Sequence, residues 1–429
     1  MQTHFSLEQL ADPKIKEADE ILRKCVHCGF CTATCPTFVM TGDERDSPRG
    51  RIWMMREVLE SPHTVSADTS YHIDRCLGCL SCMTTCPSGV DYNHLVEIGR
   101  EKLDEIVPRS FADKAMRTIL ALTVPHARRF RAMIRLARIG KLLSPALPAQ
   151  MRAALKKLPS SLPKLDHIGS KSEVFPAAGK KIKRVVLLAG CAQRALDPEI
   201  NASTIRVLNR LGVEVVVRQE AHCCGALAHH IGAKKQADSA IRATIKSWRD
   251  EMRNHGVDAI IANASGCGTM VKDYGHLMGD DPELGAIAQS ISAITMDVTE
   301  LLAEIGIEAL VSEVPAGSLG DIAYHSACSL QHGQKIHDMP QQLLRQAGFT
   351  VVQPLNPHLC CGSAGVYNVL QPEMADGLKE RKLDSLRQTG APIVAAGNIG
   401  CITQLNEAAQ PVRHTIQFID WASGGPAPF

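Results

Sequence analysis

Cys25-Val26-His27-Cys28-Gly29-Phe30-Cys31-Thr32-Ala33-Thr34-Cys35-Pro36 has the spacing C-x2-C-x2-C-x3-C-P, and the same spacing returns at Cys76, Cys79, Cys82, Cys86 and Pro87. Three thiolates two residues apart can fold round one iron–sulfur core on a tight loop. The fourth, locked by its proline, points away and ligates the neighbouring cluster. The two runs are therefore expected to clasp each other. Cys25, Cys28, Cys31 and Cys86 would hold one [4Fe–4S] cluster, and Cys76, Cys79, Cys82 and Cys35 a second. A zinc ribbon has no use for a third Cys at this spacing or for the Cys-Pro terminus. Cysteines this close, repeated identically, also make poor disulfide staples.

Working outward, 429 residues are enough for two or three domains with a sizeable core. Aromatic residues make up only 4%, so that core must rest on Leu, Ile, Val and Ala. The net charge of +2 by itself points to neither nucleic acid nor a membrane. Sixteen Cys in so long a chain do not make a small disulfide-stapled domain. The stretch from Met1 to Glu20 is charged and has no apolar signal-peptide core. No window offers the ~18 apolar residues of a membrane-spanning helix. The expectation is a cytoplasmic protein whose thiols serve as metal ligands.

Residues 1–106 read as an α-helical ferredoxin-type domain. Helical spacing runs from Leu7 to Lys24. Ile52, Met55, Val58 and Leu59 predict one helix connecting the Cys loops, and another is predicted near Tyr92 to Ile106. Arg49 and Arg51 either solvate that connecting helix or offset the charge of a thiolate-ligated cluster. Residues 107–180 form a basic helical linker: from Arg109 to Arg184 there are 18 Lys or Arg against 3 Asp or Glu. Arg128, Arg129, Arg131, Arg135, Arg138 and Lys141 alternate with Phe130, Met133, Ile134, Leu136, Ile139 and Leu142, a basic amphipathic helix. A Pro- and Ser-containing linker follows at residues 158–163. The helix is either a packed linker or a dock for anionic lipid or an acidic surface.

From residue 181 the chain repeats itself, in copies spanning 181–315 and 316–429. Val185-Val-Leu-Leu-Ala-Gly-Cys191 matches Ile322-Ala-Tyr-His-Ser-Ala-Cys328, each a buried-strand pattern ending on Cys. A helix and an outgoing strand lead, 32 residues later in both copies, to Cys223-Cys224-Gly225 and Cys360-Cys361-Gly362. A further helix and strand reach Cys267 and Cys401. Strands alternating with helices at this spacing predict βαβ units and mainly parallel sheets. The fold class is thus multidomain α and α/β: a helical two-cluster domain followed by two α/β Cys-Cys-Gly domains.

Each copy offers four thiols: Cys191, Cys223, Cys224 and Cys267, then Cys328, Cys360, Cys361 and Cys401. Most fall at strand ends or in the loops beyond, where open α/β sheets build sites. Gly225 and Gly362 suit a sharp turn that brings two sulfurs to one centre. The favoured reading is an iron–sulfur or cluster-linked redox site in the repeats. Zinc or a redox dithiol is the next reading, and buried structural Cys the last. His222, His325, His332 and His358 lie near these Cys in sequence and read as structural histidines, with His222 the best placed to ligate.

Two C-x2-C-x2-C-x3-C-P runs joined to two Cys-Cys-Gly repeats resemble the iron–sulfur subunits of flavin-dependent 2-hydroxyacid and glycerol-phosphate oxidising complexes. The glycolate oxidase iron–sulfur subunits are the nearest in pattern. The resemblance rests on Lys24-Cys25-Val-His-Cys28-Gly-Phe-Cys31, Asp46-Ser-Pro-Arg-Gly-Arg51, Ser265-Gly-Cys-Gly268 and Gly400-Cys401, and it covers nearly the whole chain. Related subunits of the heterodisulfide-reductase type commonly end the Cys-Cys-Gly motif in C-x2-C. Here each copy has one Cys at that place, which counts against a five-thiolate cluster.

No G-x-G-x-x-G opens a helix after a strand, and there is no P-loop. Hydride chemistry is therefore expected on FAD in partner subunits. The resemblance implies an electron-transfer subunit of a glycolate oxidase complex that relays electrons from that flavin to quinone. It also implies a place at the cytoplasmic face of the inner membrane, held there peripherally. The alternatives are the equivalent subunit for lactate or anaerobic glycerol 3-phosphate, a disulfide reductase, and a scaffold or sensor that clusters or zinc merely keep folded.

Overall fold

The computed structural model describes residues 1–140, 155 and 161–429. Lys141, Leu142 and residues 158–160 of the expected basic helix and linker lie outside the described residues. The chain divides into two compact units. One comprises Met1–Thr118 with His358–Lys382, the other Ile119–Pro357 with Leu383–Phe429.

The first unit is helical. Its opening helix, Pro13–Lys24, begins later than the spacing from Leu7 suggests. Pro13 holds Asp12 in an extended conformation, and Asp12 then caps the helix by accepting from Lys14 N at 2.9 Å. Residues Gln9–Ala11 form only a 3-10 turn. The helix Pro48–Glu60 is capped by Ser47, whose Oγ accepts from Gly50 N at 2.9 Å, and it buries the Ile52, Met55, Val58 and Leu59 stripe. Two further helices, Pro36–Thr41 and Ala67–Asp74, join it between the Cys loops, where the sequence pattern predicts only one. The helix Tyr92–Ile106 has the expected bounds. These helices close on Leu22, Met55, Val58, Ile73, Leu95 and Leu103, and Cys25, Cys76 and Cys82 belong to the same core. The Cys loops are thus anchored by apolar packing.

The second unit holds two sheets. Strands β1 (Glu173–Phe175), β2 (Lys183–Leu188), β3 (Val213–Val217), β4 (Ala259–Ala262) and β5 (Thr295–Asp297) run in the order β1-β3-β2-β4-β5. Strands β6 (Asp321–His325), β7 (Thr350–Val352), β8 (Ile393–Ala396) and β9 (Val412–His414) run in the order β7-β6-β8-β9. All pairs are parallel except the antiparallel edge β1–β3. The continuous apolar strands fit parallel sheets buried on both faces. The short strands β5 and β9, beyond the last Cys of each copy, complete matching four-stranded layouts.

The two copies embrace. The first long helix of copy one, Glu199–Arg210, packs on the last helix of copy two, Thr415–Ala422. Conversely, Met339–Gln346 of copy two packs on Val298–Ile305 of copy one. Arg206 Nε donates to the buried Asp420 carboxylate at 2.9 Å across the first contact. The turn after Cys191, Ala192–Leu196, meets the helix Ile399–Leu405 that carries Cys401. In the same crossed manner Ser265–Lys272, carrying Cys267, meets the turn Ser329–Gly333 after Cys328.

The basic helix Ala127–Gly140 is docked by its inner face. Arg131 is buried and donates to Ala195 O at 2.9 Å and Pro163 O at 2.6 Å, while Ile134 is buried beside it. Arg128, Arg129, Arg135, Leu136 and Ile139 stay exposed. Among the described residues no helix is long and apolar enough to cross a membrane.

Candidate metal centres

The first-unit cysteines line two cavities. One is lined by Cys25, Cys28, Cys31 and Cys86, with Cys82 also on its wall. The other is lined by Cys35, Cys76, Cys79 and Cys82. Pro48, Cys82 and Tyr92 line both. The loops wrap their cavities alike. Left-handed backbone occurs at His27 and Gly29 in one loop and at the corresponding Gly78 and Leu80 in the other. Such alternation turns backbone N–H groups inward, as with Gly78 N, 3.4 Å from Cys76 Sγ. All-thiol donor sets of this size suit [4Fe–4S] clusters, and hard cations would want oxygen.

The two environments differ. In the first set Cys28 is exposed, and Val26, Phe30 and Trp53 stand exposed nearby in sequence or across the helix, Phe30 by 63% and Trp53 by 46%. In the second set only Cys79 is partly open. The second cavity also has a buried cation. Arg51, 1% exposed, donates to His72 O at 2.8 Å and Thr37 Oγ1 at 3.0 Å, with Nη1 4.0 Å from Cys35 Sγ. Its counter-ion, the fully buried Asp46, also accepts from Arg75 at 2.7 Å and contacts His72 Nδ1 at 3.0 Å. Helix solvation therefore does not describe Arg51. Arg49 pairs with Glu44 at the surface but also lines the first cavity beside Cys28 and Cys31, so both readings apply to it.

This charge shows in the thiols. Burial pushes Cys25 up, Cys31 to about 11 and Cys82 well above the ordinary range. Burial opposes ionisation of Cys76 as well, but Arg51 and Arg100, helped by Gly78 N–H and Tyr92 OH, hold it below its usual value. Metal binding at these sites must release protons.

In the first Cys-Cys-Gly copy the four thiols form a chain of neighbours. Cys223 Sγ lies 3.7 Å from Cys191 Sγ, and the thiols of Cys223, Cys224 and Cys267 are linked in turn. Gly225, at φ +86°, starts the next helix, and a Cβ there would fall 2.9 Å from Ile241. Tyr274 OH donates to Cys224 O at 2.9 Å, and Thr244 Oγ1 to Cys223 O at 3.2 Å. Behind Cys191 a buried amide cluster of Gln193, Asn201 and Asn263 ties β2 to β4.

The second copy divides differently. Cys360, Cys361 and Gly362 belong to the first compact unit, while Cys328 and Cys401 belong to the second. All four are buried. Gly362, at φ +82°, lies so close to the helix beyond it that a Cβ would fall 2.5 Å from Ala375 O.

Comparison with known proteins accords with this layout. The 4Fe-4S dicluster domain matches residues 24–90, and the Cysteine-rich domain matches residues 185–272 and 322–406. The glycolate oxidase iron–sulfur subunit of Escherichia coli (strain K12) is 40% identical over 98% of this chain and 99% of its own. The chain belongs to the glycolate oxidase iron–sulfur subunit family. A Bacillus subtilis (strain 168) protein named "Probable glycolate oxidase iron-sulfur subunit" is 30% identical over 94% of this chain and 93% of its own. Lactate utilization protein A of Bacillus cytotoxicus is 26% identical over 52% of this chain and 90% of its own.

In this family member His222 stacks on His126, ring centroids 5.2 Å apart, and its Nδ1 lies 3.3 Å from Glu220 O. His325 is fully buried at the end of β6, and His332 is buried in the turn after Cys328. Burial and then the neighbouring Lys382 and Arg381 hold His358 below the ordinary histidine range. Sequence reasoning quoted the stretch Asp46 to Arg51 but gave Asp46 no role, and it missed His72, Arg100, Tyr92 and Tyr367. No motif marks these four, because their role comes from contacts between distant segments.

Proposed function

We propose that this chain is the electron-transfer subunit of a glycolate oxidase complex, taking electrons from FAD on partner subunits during glycolate oxidation and passing them towards quinone. The observation that carries the reading is the pair of neighbouring cavities, each lined by three thiols of one Cys run and the fourth Cys of the other, with Cys82 on the wall of both. Cys25, Cys28, Cys31 and Cys86 would hold one [4Fe–4S] cluster, and Cys76, Cys79, Cys82 and Cys35 the other. Bound clusters supply one-electron carriers between a two-electron flavin and quinone.

The residues of this chain set the conditions. Arg51 and Arg100 favour the thiolate of Cys76 and offset charge in the buried set. The exposed surface at Cys28, Val26, Phe30 and Trp53 is where a flavoprotein partner would approach. Cys191, Cys223, Cys224 and Cys267 are a further candidate centre, iron–sulfur or zinc, as are Cys328, Cys360, Cys361 and Cys401. Domain limits at 106, 180 and 315, cytoplasmic residence and peripheral membrane contact through Arg128, Arg129 and Arg135 complete the reading.

Cys79→Ser in the assembled complex tests it. The flavin should still be reduced by glycolate while a quinone analogue is not, and undiminished transfer would refute the relay. Anaerobic iron, sulfide and zinc counts decide the repeats: about eight iron atoms per chain confine clusters to the two Cys runs. Binding to anionic vesicles, lost on neutralising the three arginines, tests the membrane contact. The lactate utilization relatives favour one other reading, in which lactate is the donor. Steady-state assays of the complex with both acids discriminate.

A further inference from the structure

The two Cys-Cys-Gly copies look equivalent in sequence, yet the Cys360-Cys361-Gly362 segment of the second belongs to the first unit. Six residues after Cys361 stands Tyr367, where the first copy has His230 six residues after Cys224. Tyr367 is 7% exposed, and its hydroxyl donates to Arg75 O at 2.8 Å. Arg75 immediately precedes Cys76. The same phenol lies within electrostatic reach of Arg51, Cys76, Arg75 and Cys360. A second contact acts on the other strand of the cage. A Cβ on Gly377 would fall 2.7 Å from Met40 Cε, and Met40 lies on the Pro36–Thr41 helix that starts from Cys35. The segment carrying Cys360 and Cys361 therefore rests on both stretches of chain that supply the second cavity, one leading to Cys76 and one from Cys35. The left-handed turn at Gly362 folds the motif back onto the helix that bears Gly377.

From this we infer that Tyr367 is a positioning residue that couples Cys360-Cys361-Gly362 to the cluster set of Cys35, Cys76, Cys79 and Cys82, making Cys360 and Cys361 the redox neighbours of that cluster. The inference rests on the electron-carrier reading. Arg51, Arg75, Cys76 and Cys360 around one buried phenol form a common electrostatic environment. A change of charge at Cys360 is then felt at Cys76 with little solvent screening.

The test uses the full-length chain, purified anaerobically and titrated with dithionite while EPR is recorded. The signal lost in Cys79→Ser identifies the cluster in question. Cys360→Ser removes a sulfur that is negative when it ligates a metal, so the midpoint potential of that signal should rise. Tyr367→Phe keeps the ring but deletes the bond to Arg75, so the potential and line shape should change with the iron content of the Cys runs unaltered. Cys223→Ser should leave both as in the parent chain. Tyr367→Phe and Cys360→Ser that both leave the signal unchanged would overturn the coupling, and so would a larger shift from Cys223→Ser. A parent chain with no reversible signal would overturn the electron-carrier reading and this inference with it. Reversible reduction without the shifts would overturn this inference alone.

Discussion

Arg49 and Arg51 lie two residues apart, and the sequence offers the same two readings for both. Side-chain direction separates them: one points to Glu44 at the surface, the other into a buried site with Asp46, Thr37 and the carbonyl of His72. Arg51→Met should destabilise the protein by about 3 kcal/mol, because Asp46 loses a buried partner. Arg49→Met should cost no more than about 0.5 kcal/mol. Anaerobic urea unfolding of the two variants checks this. Asp297 gives a pH-dependent case: burial raises it to about 6, against hydrogen bonds from Thr299 that act the other way. A carboxyl that holds its proton more tightly when folded stabilises the fold at low pH. It loses that contribution as pH rises through about 6. Between pH 5 and 7 the parent chain should lose about 1 kcal/mol relative to Asp297→Asn, which retains a capping oxygen. A constant difference across that range would refute the assignment. The candidate ligand cysteines are legible because spacing alone marks them. Asp46 stands in the quoted stretch with Arg51 but its role does not show there, and Arg100 and Tyr92 have no local pattern, since a partner brought in by folding leaves none.

Among the elements, the helices and long strands of the repeats follow directly from apolar periodicity. The strands β5 and β9 have three residues each, too few to show alternation, and β1 hides in the basic segment. Their ends nonetheless perform the same task. Asp297 caps Val298–Ile305 in a box with Glu300, and His414 caps Thr415–Ala422 in a box with Gln417. The glycines of the Cys-Cys-Gly turns also correspond but are not equally constrained. Gly362→Ala meets a helix carbonyl oxygen, whereas Gly225→Ala meets chiefly the movable side chain of Ile241. Both variants carry left-handed strain of about 1–2 kcal/mol, and Gly362→Ala should lose more stability than Gly225→Ala in thermal melts. The basic helix is likewise more than its pattern suggests. Arg131→Met should loosen it from Ala195 and Pro163, seen as faster limited proteolysis within the helix Ala127–Gly140.

At the scale of the molecule, the cores differ in degree. That of the first unit includes Cys25, Cys76 and Cys82, whereas one core of the second unit includes Cys224 as its one fully buried thiol, among Val186, Ile245, Trp248, Val271 and Tyr274. Iron removal under anaerobic conditions should therefore lower or abolish one calorimetric transition and leave a second in place. A single transition moving as a whole would contradict this. The repeat and its parallel sheets could be read from the chain. The assignment of Cys360 and Cys361 to the first unit could not, because it depends on Tyr367 and Gly377 meeting segments some three hundred residues earlier. The crossed packing of the copies has a further meaning. The first long helix of one copy on the helix after the last strand of the other, met twice with the roles exchanged, is the signature of an isologous contact, the kind that joins two identical subunits about a twofold axis. Here both partners lie in one chain, as if a symmetric dimer had been fused end to end. Joined in one chain, the two halves need not match residue for residue: one places His230 where the other places Tyr367.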